Sequence, residues 1–278
     1  GGLSFPNGDG HTGTGGCMFC SAKASGVFAG DAALTITEQL AAGKKDLLAK
    51  RPVHSYVAYF QAFTNTYAPV PRLEKIFTEA IQDPDVRALS IATRPDCLGS
   101  DVLELLGRLN RIKPVWVELG LQTIHEETAR FIRRGYDLDV FDRAVTALRR
   151  LGITVIVHVI LFLPDETEDM MLETLDYLNS RDIQGIKLQL LHVLEGTDLA
   201  EFYRNHPFYT PDMEEYIRVV GRCIARLRPD IAIHRLTGDG PKDLLIAPLW
   251  TGAKRTVLNR LNQYLKEKDL WQGKEYYG

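Results

Sequence analysis

The feature that most constrains the fold is a regular alternation of short apolar runs, typical of strands, with amphipathic helical segments. The predicted strands cover 55–60, 88–92, 115–121, 153–163, 186–193 and 231–235. The predicted helices cover 35–50, 71–81, 100–109, 125–133, 138–151, 168–180, 212–227 and 254–266. Such alternation indicates an α/β protein built from right-handed β-α-β units around a parallel sheet. Five or six units are too few for a closed eight-stranded barrel, so a partial barrel and a doubly wound sheet both fit.

Polar side chains concentrate where the predicted strands end. In both architectures ligands bind at the carboxyl ends of the strands, so these side chains predict a functional pocket there. The polar residues at these strand ends, or late within a strand, are Gln61, Thr64, Asn65, Thr93, Arg94, Asp96, Glu118, Gln122, His158, His192, His234, Arg235 and Asp239.

The composition limits the kinds of binding partner and the cellular compartment that we expect for this chain. The chain has 278 residues, a formal net charge of -3 and four cysteines, which are too few for a disulfide scaffold. A negative net charge provides no overall positive potential that would attract nucleic acid. Basic pairs such as Arg133-Arg134 are interpreted as solvated helix faces. No apolar run approaches the ~20 residues of a membrane span, and no signal peptide is visible. We therefore expect a cytoplasmic protein with no membrane partner.

A glycine-rich loop over residues 1–30 carries the cysteine pair Cys17 and Cys20. Zinc normally requires a second Cys or His pair, and His11 is the only candidate nearby. A thioredoxin-type motif would open a helix directly after a strand, whereas here a long loop precedes the pair. Backbone N–H groups of a glycine-rich loop suit the sulfurs of an iron–sulfur cluster. The spacing therefore favours a cluster, with zinc and a redox or structural pair as alternatives.

The run GLSFPNGDGHTGTGGCMFCSAKASGVFAG resembles the cluster loop of a bacterial radical S-adenosylmethionine (SAM) family, which has a Cys-x11-Cys-x2-Cys signature. That family is related to the Elongator catalytic-subunit-like radical SAM proteins. The resemblance continues through QAFTNTY, TRPDCL, WVELGLQT, GIKLQLLHVLEGT, HRLTGDGP and APLW, and so covers nearly the whole chain. It implies a partial (β/α)6 TIM-like barrel. Residues 1–30 would form the cluster-binding loop, 31–235 the barrel and 236–278 a C-terminal extension packed on it, all within a single structural domain.

The resemblance implies two cofactors, a [4Fe-4S] cluster and SAM, with Cys17 and Cys20 as cluster ligands and catalytic residues. The first cysteine of the signature would fall at position 5, where this sequence has Phe5, which cannot bind iron. Cys97 could approach the cluster, although a small buried side chain is the simpler interpretation. The expected function is radical chemistry started by SAM cleavage. The alternatives are a cluster-impaired protein that binds SAM or RNA, and a zinc-dependent barrel enzyme.

The SAM-binding residues that the resemblance implies are Phe19, Gln61, Thr64, Asn65, Arg94, Glu118, Gln122, His158 and Leu161. Structural alternatives remain open: turn capping by Asn65, an ion pair of Glu118 with Arg94, and a hydrogen-bonded core position for His158. The turn after the fourth strand has Phe162 and Asp165 where the family commonly has glycine.

On the substrate side we expect a polar cluster, in which Asp239 between two glycines could also simply shape a turn. Its members are Lys187, His192, His234, Arg235 and Asp239, and Lys242 could add charge for an anionic substrate. The Elongator-like resemblance suggests tRNA, with a wobble uridine as target, while a small molecule or peptide remains an alternative. A reductant protein such as a flavodoxin or ferredoxin is the implied electron donor.

Overall fold

The computed structural model of the chain describes Pro6, residues 16–20, Asp31, 33–238 and 240–277. Within them, the strands are β1 (Tyr56–Phe60), β2 (Val86–Thr93), β3 (Val115–Gln122), β4 (Thr154–Leu161), β5 (Gly185–Leu190), β6 (Val193–Leu194), β7 (Ala232–Arg235) and β8 (Leu245–Ala247). The helices are α1 (Ile36–Leu48), α2 (Val70–Gln82), α3 (Ser100–Asn110), α4 (Glu126–Phe131), α5 (Leu138–Arg150), α6 (Glu168–Asn179), α7 (Asp198–Asn205), α8 (Met213–Arg226) and α9 (Lys254–Glu267).

The order of the strands decides between the two predicted architectures. Six strands form one sheet in the order β1-β2-β3-β4-β5-β7, in which the pairs β1–β2, β2–β3 and β5–β7 are parallel. A doubly wound sheet reverses direction at a switch point, whereas a barrel adds each strand beside the one before it. The order found here has no reversal, so the prediction of a barrel-type α/β fold is confirmed.

The chain divides into two compact units. The first unit includes the described residues between Asp31 and Gly120 together with Asp139–Ile156, and the second includes residues 16–20, Leu121–Leu138 and the described residues from Val157 onward.

In the first unit, the helices cover one face of the strands. Phe60 of β1 packs edge-on against Phe77 of α2, with ring centroids 4.9 Å apart, and Leu89 and Ile91 of β2 are fully buried. Proline at the first turn suits the start of α2, because proline has the helical φ and lacks only an N–H that the helix does not use there.

In the second unit, α6 and α8 are joined by buried apolar side chains and by ion pairs. Glu168, in the first turn of α6, accepts hydrogen bonds from Arg218 and Arg222 of α8. Thr167 and Asp212 cap the two helices through their side-chain oxygens. In the described part of the chain, none of the helices combines the length and the apolar character that a membrane span requires.

Candidate cofactor site

The turn that carries the cysteine pair is anchored to the core of the second unit. The Met18 N–H donates to the carbonyl of Ile132 (3.3 Å), and the Leu199 N–H donates to the carbonyl of Met18 (2.8 Å). The Met18 side chain is buried in a cluster with Leu163 and Leu191, and Phe19 packs against that cluster. Two hydrogen bonds and a buried side chain therefore fix the position between Cys17 and Cys20.

The two cysteines of this turn lie side by side. Cys17 and Cys20 form a disulfide, with Cα atoms 5.4 Å apart, and Cys20 is exposed. Only their reduced form can bind a metal, because thiolates are the ligands. Among the described residues, no three His, Cys, Asp or Glu side chains are grouped closely enough to hold a metal ion. Phe5, at the third ligand position that the resemblance implies, lies outside the described residues.

The other two cysteines differ from this pair in environment. Cys97 and Cys223 are buried free thiols, and desolvation raises the pKa of each to about 12. Their thiols stay protonated near neutral pH, which makes them poor metal ligands.

The loop after β1 is held together by Asn65. Its side-chain amide donates to the carbonyls of Phe60 and Ala62 (3.1 Å each) and of Ala92 (3.0 Å), and the side chain is buried. These bonds support the capping interpretation of Asn65, since its donors are used within the loop. Thr64 is equally buried, whereas Gln61 is half-buried at the start of the loop.

Arg94 and Glu118 each have partners in the first unit. Arg94 forms a bidentate ion pair with Asp96, with Nη2 2.6 Å from Oδ2. Glu118 is 4% exposed and accepts hydrogen bonds from the hydroxyls of Ser90 (2.7 Å) and Tyr59 (3.1 Å). Neither hydroxyl was predicted from the sequence, although a serine inside the apolar strand β2 was a detectable signal.

Arg134 is buried, which makes the prediction of a solvated helix face for this residue wrong. Its side chain is only 1% exposed. The guanidinium donates to the carbonyls of Thr123 (2.7 Å) and Tyr136 (2.9 Å) and to the Glu126 carboxylate (2.7 Å). These acceptors lie on both sides of Arg134 in the chain, so one guanidinium holds together the segment between β3 and α5. Gln122, the last residue of β3, has a positive φ of 65°.

The predicted substrate residues that are described all lie in the second unit. Lys187 of β5 is buried and is the register partner of Arg235 in β7, so both side chains project from the same face of the sheet. In the same strand as Lys187, Gln189 hydrogen-bonds with the His158 Nδ1 atom (3.4 Å), which agrees with the hydrogen-bonded alternative for His158. Gln189 was not predicted from the sequence.

His192 packs beneath the loop that holds two glycines. A Cβ atom at Gly238 would lie 2.5 Å from the His192 Cε1 atom, and one at Gly240 would lie 2.9 Å from its Nδ1. The histidine thus requires both glycines for the close approach of this loop. His234 is exposed, and Asp239 lies outside the described residues.

The turn after β4 has backbone angles that favour glycine, although other residues occupy these positions. Phe162 and Asp165 have φ values of 59° and 64°, in the left-handed region. Leu161 is fully buried, and its carbonyl accepts the Leu191 N–H (3.1 Å). Beside the turn lies a cavity of about 560 Å³, with a wall formed by the side chains of Phe131, Phe162, Phe202 and Phe208.

The positive φ of the exposed Asp165 leads to a stability prediction. We expect Asp165→Val to lower the free energy of unfolding by about 1–2 kcal/mol, because a β-branched side chain clashes with the backbone in this region. Asp165→Gly should change it by no more than ~0.5 kcal/mol, since glycine adopts this conformation freely but loses more chain entropy. Urea unfolding of the two variants checks this, and equal losses would contradict the strained turn.

Comparison with known proteins places this fold and its cysteine turn in one family. The model of the radical SAM superfamily matches residues 10–178, and the model of the radical SAM C-terminal domain matches 183–267. The chain therefore belongs to the radical SAM superfamily, and the predicted resemblance is confirmed at the level of that superfamily.

Two relatives and one solved structure show the range of the similarity. The uncharacterized protein YtqA of Bacillus subtilis (strain 168) is 43% identical over 274 residues, which cover 99% of this chain and 85% of YtqA. A tRNA uridine(34) acetyltransferase of Methanocaldococcus jannaschii is 26% identical over 184 residues, 65% of this chain and 33% of that enzyme. The structure of Methanocaldococcus infernus Elp3 with an N-terminal deletion has a TM-score of 0.73 and 18% identity, covering 85% of this chain and 60% of Elp3. The fold is accordingly the partial barrel of the radical SAM proteins.

Proposed function

We propose that this chain is a radical SAM enzyme in which Cys17 and Cys20 hold an iron–sulfur cluster and SAM is the cofactor that is cleaved. The observation that carries the proposal is the turn between the two cysteines, because it is fixed to the core by two backbone hydrogen bonds and the buried Met18. A fixed backbone holds both sulfurs in place for a ligand that both must bind.

When bound, a [4Fe-4S] cluster of this type supplies the electron that cleaves the sulfonium of SAM into a 5′-deoxyadenosyl radical. Two soft thiols at positions 17 and 20 fit two of its ligand positions, and position 5 has phenylalanine. The residues of the chain would orient SAM and exclude water from it. The aromatic wall beside the turn after β4 offers stacking for the adenine ring, next to the predicted contacts of Phe19 and Leu161.

The proposed substrate is a tRNA wobble uridine. This assignment rests on the name of the Methanocaldococcus jannaschii relative, a tRNA uridine(34) acetyltransferase, and on the cationic pair of Lys187 and Arg235. Two positive side chains on neighbouring strands suit an anionic group such as a phosphate. The other residues that we propose contact the substrate are His192, His234 and Asp239. A flavodoxin or ferredoxin is the proposed electron donor, and the cytoplasm the proposed location.

A cluster-impaired protein that still binds SAM or RNA is the second candidate. The observation that favours it is Phe5, since an apolar ring leaves one ligand position without a donor. Iron content separates the two candidates: the enzyme binds about four irons per chain, and the binding protein binds little iron but retains SAM or RNA.

Restoring the third thiol tests the proposal. We expect Phe5→Cys to raise iron and sulfide content after anaerobic reconstitution, and to raise the yield of 5′-deoxyadenosine from SAM under reductant. The physical reason is that a third thiolate completes the protein ligands of the cluster. Iron and sulfide per chain are measured by colorimetric analysis, and 5′-deoxyadenosine per chain by chromatography.

A cysteine placed elsewhere is the matched control. Leu34 is 40% exposed and lies outside the loop 1–30 in the sequence, so Leu34→Cys adds one accessible thiol at a position with no predicted ligand role. It should leave iron and 5′-deoxyadenosine at the level of the original chain. If Phe5→Cys behaves like Leu34→Cys, position 5 is not a ligand position and the proposed alignment of the loop is wrong.

A further inference from the structure

Three side chains of neighbouring strands in the first unit form a hydrogen-bonded cluster. Tyr59 of β1 lies opposite Ser90 of β2, and Glu118 of β3 lies opposite Ala92, so all three side chains project from one face. Ser90 donates to Glu118 Oε1 at 2.7 Å, and Tyr59 reaches across β2 to donate to Oε2 at 3.1 Å. The other face of these strands bears Phe60 and Ile91 and packs on helices.

The members of this cluster differ in exposure. Tyr59 is 37% exposed, whereas Glu118 is 4% exposed. Two hydroxyl donors compensate for the cost of burying the carboxylate. The result is an accessible phenol ring whose hydroxyl already donates to a buried base. That arrangement favours removal of one electron from the ring, because the phenolic proton can move to the base at the same time.

We propose that Tyr59 is a redox-active tyrosine and that Glu118 is its proton acceptor. Tyr59 gives one electron to a substrate-derived carbon radical, and its phenolic proton moves along the existing hydrogen bond to Glu118 Oε2. The substrate radical takes that electron and one proton from a water molecule, which forms its C–H bond and releases hydroxide. Tyr59, having lost one electron and one proton, is left as a neutral tyrosyl radical. This role rests on the proposed function, since that function supplies the substrate radical.

The tyrosine is then restored by the proposed reductant. One electron from a reduced flavodoxin or ferredoxin converts the tyrosyl radical to the phenol, and Glu118 returns the proton to the oxygen. Ser90 acts as a positioning residue, because its hydrogen bond to Oε1 turns Oε2 toward Tyr59.

Photo-oxidation of the chain without iron tests this inference. A flash on tris(bipyridine)ruthenium with a cobalt(III) quencher removes one electron from the protein, and electron paramagnetic resonance records the radical. We expect a persistent neutral tyrosyl signal in the original chain, its loss in Tyr59→Phe, and slower formation in D2O. Glu118→Gln should shorten the lifetime of the signal, with circular dichroism confirming the fold of each variant.

Two control variants test whether the radical signal belongs to Tyr59 alone. Tyr277 is 88% exposed and Trp116 lies on the same face as Tyr59, so Tyr277→Phe and Trp116→Phe should keep the persistent signal. The inference is overturned if the original chain gives no persistent signal, if the signal survives in Tyr59→Phe, or if its formation is equally fast in D2O. The experiment uses no cluster, so failure of the proposed function leaves its outcome unchanged.

Discussion

Replacing Arg134 with alanine should lower the free energy of unfolding by about 3 kcal/mol, the largest effect on stability that we expect from a polar residue of this chain. The side chain is 1% exposed and satisfies two backbone carbonyls, those of Thr123 and Tyr136, as well as the Glu126 carboxylate. Alanine leaves the two carbonyls without their donor. Chemical unfolding in urea measures the loss.

The neighbouring Arg133 is the matched control. It pairs with Asp198, but its side chain is 42% exposed and that of Asp198 is 51% exposed. Surface pairs of this kind contribute about 0–1 kcal/mol, so Arg133→Ala should change the free energy of unfolding by no more than that. Similar losses for the two variants would show that burial of Arg134 does not stabilise the segment after β3.

Replacing either Cys17 or Cys20 with alanine should reduce reconstituted iron to background, which is the largest functional effect we expect. Each substitution leaves a single thiol in the turn, and one thiolate cannot retain a cluster in competition with thiols in solution. The hydrogen bonds of Met18 to Ile132 and Leu199 use backbone atoms, so the turn itself should persist in both variants. Iron and sulfide per chain are measured after anaerobic reconstitution.

Cys97→Ala is the control for the cysteine variants. Cys97 is buried, and its pKa of about 12 keeps the thiol protonated. Its removal should leave the iron content unchanged. Two outcomes would contradict the assignment: iron that depends on Cys97, or stoichiometric zinc bound through Cys17 and Cys20 in place of iron.

Periodicity predicted the elements of the sheet well but could not predict their order. All six strands of the main sheet were anticipated, because each is a short apolar run between helices. The order β1-β2-β3-β4-β5-β7 depends on pairings between distant segments, which leave no local trace in the sequence. The family resemblance, rather than periodicity, therefore provided the barrel.

The predicted bounds of the strands and helices were wrong in places, and the cause in each case lies in the nearby chain. The predicted strand 153–163 ends at Leu161, because Phe162 adopts a positive φ that breaks the extended backbone. The predicted strand 186–193 is in fact two strands, β5 and the short β6. Helix α7 was missed, although Thr197 accepts the Ala200 N–H as a helix cap, because eight residues are too few for a clear apolar period.

The candidate site shows what sequence patterns leave undetermined. Glu118 was recognised as a carboxylate that needs a partner, but its hydroxyl donors are 28 and 59 residues away in the chain. Arg134 was taken for a surface residue, because adjacent arginines give no sign of which one is buried. The pairing of Lys187 with Arg235 required the strand register, which the sequence does not reveal.

The most direct test of the central claim is the effect of SAM on a reduced cluster held by Cys17 and Cys20. The Phe5→Cys chain is reconstituted and reduced without oxygen, and its electron paramagnetic resonance spectrum is recorded with and without SAM. We expect a cluster signal that changes shape when SAM is added and is absent from the Cys20→Ala version of that chain. A signal that is identical with and without SAM, or that survives the loss of Cys20, would contradict it.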